Sequence, residues 1–103
     1  MPTISHPARH LHGQAGQALT LVLESLPGAG LVWCAPPAPE GCRIEVLASQ
    51  PASAGVGGTA LQRFALSADR PGVFALRFEL RRPWEAGAHA VQPVRLTVGA
   101  APA

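Results

Sequence analysis

Residues 72–82 read GVFALRFELRR. Phe74, Leu76, Phe78 and Leu80 occupy alternate positions, with Ala75, Arg77, Glu79 and Arg81 between them. A period of two puts every apolar side chain on one face of an extended strand, and no helical stripe reproduces it. This stretch sets the fold class, and its neighbours extend it. The preceding DRPG, residues 69–72, is a turn, because Pro presets φ and Gly permits φ > 0. Before that turn, residues 59–68 (TALQRFALSA) carry Phe64 and Leu66 in phase. After it, residues 91–99 (VQPVRLTVG) form a last strand, with Pro93 predicting an edge or a bulge.

Upstream the pattern repeats. Residues 17–24 (QALTLVLE) alternate Leu19, Leu21 and Leu23 with Thr20, Val22 and Glu24. Residues 31–34 (LVWC) are a short apolar strand, and residues 42–49 place Ile44, Val46 and Ala48 on one face. Residues 25–30, 35–41, 50–58 and 83–90 are loops rich in Gly and Pro. Residues 1–13, with two prolines and no period, read as a flexible arm; residues 14–99 are the domain and 100–103 a frayed tail. No segment has a helical period. The fold class is all-β: a single antiparallel sandwich of six to eight strands, with a barrel as the other arrangement such strands allow.

Composition agrees. A chain of 103 residues with 48% apolar and 14% charged residues is one folded domain that needs neither metal nor disulfide framework. Eleven Gly and eleven Pro lie between apolar runs and act as turns. All eight basic residues are Arg, and with abundant Ala, Gly and Pro this matches GC-rich, bacterial coding. The net charge of +2 is scattered, Arg81-Arg82 and Arg63/Arg70 being its densest points. A nucleic-acid partner needs a denser basic stripe. No apolar run approaches the ~18–20 residues of a membrane span, so no membrane partner is expected. The first residues have no apolar core of a signal peptide. The protein is therefore cytoplasmic, or periplasmic or secreted with a signal already removed.

The polar residues outline no enzyme. Glu24, Glu40, Glu45, Asp69, Glu79 and Glu85 form no close pair for acid–base work, and no nucleophile motif occurs. Cys34 and Cys42 flank a proline-rich turn that can bring them opposite each other as a disulfide, or leave two free thiols, one of them buried. His6, His10 and His12 are spaced as a weak transition-metal cluster in the arm, without a rigid frame. A small metal or redox domain is accordingly remote, and no cofactor is expected. Trp33 sits among apolar residues and reads as core. Trp84, beside Pro83 in a polar loop, reads as exposed, or as a cover over the sandwich end. His89 reads as a rim residue.

Three loops together carry a resemblance. Pro27-Gly28-Ala29-Gly30 followed by Trp33, then Gly55-Val56-Gly57-Gly58, then Arg82-Pro83-Trp84, each between strand-like runs, resemble in order and spacing the chagasin family of protein inhibitors of papain-like cysteine peptidases. The first loop departs from the family pattern: Leu26 stands for Asn, and Gly28 and Ala29 for two Thr. The resemblance implies an immunoglobulin-like sandwich with the three loops at one end. It implies a reversible, non-covalent, monomeric inhibitor that occludes the cleft of a papain-like peptidase. Residues 27–30 would enter the cleft as a slim wedge; residues 55–58 and 82–84 would grip its sides. Trp84 suits an interface anchor. Arg82 would donate to the peptidase or brace its own loop. The alternative is a non-inhibitory immunoglobulin-like structural or adhesion module.

Overall fold

The computed structural model describes residues 3–25, 30–47, 50–51 and 60–101. Among them, strand segments run β1 (Ile4–Ser5), β2 (Arg9–Gln14), β3 (Leu19–Ser25), β4 (Val32–Cys34), β5 (Cys42–Val46), β6 (Gln50–Pro51), β7 (Ala60–Ala68), β8 (Gly72–Arg81) and β9 (Ala90–Gly99). One sheet has the order β1–β9–β8–β4, with β2 following β1 along β9; the other is β3–β7–β5, with β6 following β5 along β7. Two edge strands are thus each broken in two, so the segments occupy seven strand positions. This is the expected all-β sandwich.

The alternation of β8 is realised as read. Leu76, Phe78 and Leu80 are buried, and they face Leu21 and Leu23 of β3 and Phe64 and Leu66 of β7. Phe64 and Phe78 meet edge-to-face at 4.9 Å and 62°, joining the two sheets through the middle of the core.

Three expectations change. First, residues 1–13 are not a loose arm where described. β1 and β2 add to β9 in parallel, Ile4 opposite Ala90 and Arg9 through Gln14 opposite Val94 through Gly99. The remaining pairings, β3–β7, β5–β7, β6–β7, β4–β8 and β8–β9, are antiparallel. The arm showed no period because Leu11 is the one large apolar residue of β2 and the strand breaks around Pro7.

Second, β9 is central rather than an edge, and Pro93 pairs with Arg77 of β8. Ile4 N–H donates to the His89 carbonyl and His6 N–H to the Val91 carbonyl, so odd-numbered backbone groups of β9 face the first strand. Pro93 falls on the same side, opposite the break between β1 and β2, where its missing N–H costs no ladder bond. The buried amide of Gln92 bridges the break, donating to the carbonyls of Pro7 and Pro93 at 2.8 Å.

Third, Ile44 packs on the core, whereas Val46, in the same phase, is 67% exposed; Ala48 lies outside the described residues. Alternation records which face a side chain takes, not whether the opposite sheet reaches it.

Candidate functional site

Register gathers the feet of three connections at one end of the sandwich. Ser25, which ends β3, pairs with Ala60, which starts β7, and Pro51 of β6 pairs with the same Ala60. Val32 of β4 pairs with Arg81, the last residue of β8. The β3–β4, β6–β7 and β8–β9 connections therefore leave from neighbouring strand ends. Of the predicted site residues, Pro27, Gly28 and Ala29 of the first loop and Gly55, Val56, Gly57 and Gly58 of the second lie outside the described residues. Gly30, Arg82, Pro83 and Trp84 are described.

The third loop is built on a β-turn. Glu85 N–H donates to the Arg82 carbonyl at 3.0 Å, with Pro83 and Trp84 between. Among the described residues none other than glycine has positive φ and no peptide is cis, which places the turn in the type I class, where Pro is favoured at the second position. The indole of Trp84 stands out at 77% exposure. The alternative role, a lid over the sandwich end, is thereby excluded.

Behind the turn lies a polar brace. Arg82 Nη1 donates to Glu85 Oε1 at 3.0 Å, His89 Nε2 is 3.1 Å from the same oxygen, and Arg82 Nη1 is 3.3 Å from His89 Nε2. Arg81 Nη1 donates to the Glu85 carbonyl at 3.0 Å. The Arg82 hydrogen bond first, and the His89 contact second, hold the Glu85 carboxyl below the ordinary carboxylate range. Of the two roles expected of Arg82, bracing its own loop is the one this geometry contains. His89 is held at its backbone as well: its N–H donates to Leu80, and its carbonyl accepts from Ile4. Thr3 Oγ1 donates to the Ala88 carbonyl at 2.8 Å, so the first strand straps this loop.

Gly30 closes the contact between the first and third loops. Its φ is +77°, and a Cβ placed there would lie 3.6 Å from Trp84 Cη2 and 3.7 Å from Arg82 Cγ. Those distances are ordinary van der Waals contacts, so backbone conformation alone penalises a side chain. Gly30→Ala is expected to destabilise the fold by about 1–2 kcal/mol, the usual penalty of a left-handed L-residue, measured by urea unfolding. An unchanged midpoint would contradict the assigned conformation.

Trp33 fixes the same end from inside, and it is core as expected, 6% exposed. Its Nε1 donates to the Glu24 carbonyl of β3 at 2.8 Å. The Gln62 side chain of β7 pairs with the Trp33 backbone, Oε1 accepting from N–H at 2.7 Å and Nε2 donating to the carbonyl at 3.3 Å. His6 meets the indole edge-on at 5.9 Å. Beside it opens a mostly apolar cleft of about 400 Å³, lined by Ile4, Leu31, Trp33, Leu80, His89 and Ala90 among others.

The remaining candidates do not assemble. Cys34 and Cys42 are free thiols on strands of different sheets, β4 and β5, rather than a disulfide pair. Burial raises the pKa of the Cys42 thiol, Arg70 partly opposing it. His6 packs on Trp33, while His10 and His12 pair with Arg95 and Thr97 further along β9. Among the described residues no three His, Cys, Asp or Glu side chains gather as a metal site. The brace of Glu85 and His89 is what sequence reading missed. Its one sequence signal is an acid three residues after Arg82 in a Pro-initiated turn.

No protein-family profile matches the chain, and no curated protein matches it in sequence. Solved structures do match in shape. The cysteine protease inhibitor EhICP2 from Entamoeba histolytica superposes with a TM-score of 0.68 at 14% identity, over 96% of this chain and 100% of that one. PbICP-C, in a structure of its complex with falcipain-2, gives 0.64 at 16% identity, over 96% of each chain. Amebosin, in a solution structure, gives 0.62 at 19% identity, over 96% of this chain and 100% of that one. The chain thus has the immunoglobulin-like sandwich of the chagasin-type cysteine protease inhibitors. At these identities the likeness is one of fold.

Proposed function

We propose that the chain is a reversible, non-covalent inhibitor of papain-like cysteine peptidases and that the loop end of the sandwich occludes their cleft. The observation that carries this reading is Trp84, exposed on a braced Arg-Pro-Trp turn at the end where the feet of three loops meet, on a fold shared with cysteine protease inhibitors. One of those is in complex with falcipain-2, which fits a papain-like peptidase as partner. In this reading Pro27, Gly28, Ala29 and Gly30 enter the cleft, and Gly55, Val56, Gly57 and Gly58 lie along one side. Arg82, Pro83 and Trp84 lie along the other. Proline and the hydrogen-bonded turn pre-order the contact, which lowers the entropy lost on binding. No bond to the peptidase forms.

Leu26, Gly28 and Ala29 replace groups that carry one amide and two hydroxyls in the family pattern. At ~0.5–1.5 kcal/mol for each hydrogen bond, their absence weakens binding by one to a few orders of magnitude if those groups face the enzyme. Titration of papain or a cathepsin L-type enzyme tests the proposal. Inhibition at sub-micromolar concentration, reversed on dilution, is the expected result. No inhibition across several papain-like peptidases would replace it with a non-inhibitory immunoglobulin-like binding module.

A further inference from the structure

We propose that Glu85 is the positioning residue of the loop end: its carboxylate, shared by Arg82 and His89, holds the turn that presents Trp84. The inference deepens the inhibitor reading and rests on it for the use of Trp84, but the brace itself is a property of the free protein.

The argument is one of donors and acceptors. Arg82 Nη1 only donates, ionised Glu85 only accepts, and His89 Nε2 does either. These three atoms lie 3.0 to 3.3 Å apart. If Nε2 carried a lone pair it would accept from Arg82 but set that lone pair against Glu85 Oε1 at 3.1 Å. With a hydrogen on Nε2, both Nε2 and Nη1 donate to the one carboxylate. Glu85 therefore selects the Nε2–H form of the ring, neutral or charged. The backbone that carries the ring is in turn held at both groups, its N–H donating to the Leu80 carbonyl and its carbonyl accepting from Ile4 N–H. Rigidity thus passes from β8 and β1 through His89 and Glu85 to Arg82, the first residue of the turn. The Glu85 carbonyl, held by Arg81, secures the turn's other end.

The other charged groups nearby are Arg81, with Glu79 3.8 Å behind it, and His6 and Glu24, which share the cleft with His89. Because Glu85 has a lowered pKa, its ordering effect is fully present above the ordinary carboxylate value of 4.5. It is lost as pH falls through the lower folded-state value. The brace consequently holds through mild acid.

The test uses the free protein and papain together. In two-dimensional NMR, the Trp84 indole N–H and the Glu85 amide report turn order across pH. For wild type they should stay constant from neutral into mild acid and change below the ordinary carboxylate range. In Glu85→Gln and Glu85→Ala the turn should be loosened already at neutral pH, with papain inhibition weakened about tenfold. His6→Gln should leave both readouts unchanged, which separates this brace from the histidine across the cleft. Unchanged indole order in both Glu85 variants would overturn the inference, and a loosened turn with unaltered inhibition would overturn its link to inhibition, leaving the brace as a property of the free protein alone. If wild type inhibits no papain-like peptidase while the Glu85 variants still loosen the turn, the inhibitor reading fails and the brace stands.

Discussion

If the proposed function holds, Trp84→Ala is expected to weaken papain inhibition by about thirtyfold or more and to leave the unfolding midpoint almost unchanged. The first half follows from the size and exposure of the indole. An exposed Trp on a pre-ordered turn is the side chain that dominates an interface, and truncating such anchors typically removes about 2 kcal/mol or more. At ~1.4 kcal/mol per tenfold, that is about thirtyfold. The second half follows from 77% exposure: the ring buries little in the free protein, and substitutions at such sites usually stay within about 0.5 kcal/mol. The pair of outcomes matters more than either alone. A large loss of inhibition with a large loss of stability would make Trp84 structural. Unaltered inhibition would remove the third loop from the interface.

Trp33→Ala should produce the opposite pairing, a large loss of stability from a residue buried in the core. The buried ring fills the core at the loop end, and aromatic-to-Ala changes there cost about 3–5 kcal/mol. For a chain of this size that is a fall in Tm of about 15–30 °C. Trp33→Phe isolates the polar part. It keeps most of the ring but leaves the Glu24 carbonyl without its donor, an expected loss of about 1–3 kcal/mol. The Gln62 bonds survive in both variants, because they hold the Trp33 backbone and not its ring. Loss of less than about 1 kcal/mol in Trp33→Ala would mean that the tie between the sheets lies elsewhere.

The strands that sequence reading located are those whose inward residues are large and regularly spaced, β3, β7 and β8 above all. There the hydrophobic effect acts on a period that local sequence displays. The first strand escaped because its pairing with β9 links residues far apart in sequence, and its inward face offers Leu11 and little else. Pro93 was half legible: β9 is not an edge, but the ladder is irregular beside Pro93, where residues 6–8 stand opposite only residues 92–93. A proline reports one missing donor, and only the partner's own break at Pro7 makes that loss harmless. At the candidate site, the exposure of Trp84 and the burial of Trp33 were legible from their neighbours. The separation of Cys34 and Cys42 was not, because the turn between them crosses from one sheet to the other. Nor was the Glu85–His89 contact, which depends on how far a loop folds back on itself.

The parallel pairing of β1 and β2 with β9 also gives the domain a mechanical character. Residue 3 leaves the sandwich at the loop end, beside Ala88, and residue 99 at the opposite end, beside Gln14 and Ala15. A tether pulling on both ends would slide these two strands past each other. The ladder between them would be sheared as a unit rather than opened one rung at a time. The strap that holds the third loop is therefore the element that resists such a pull.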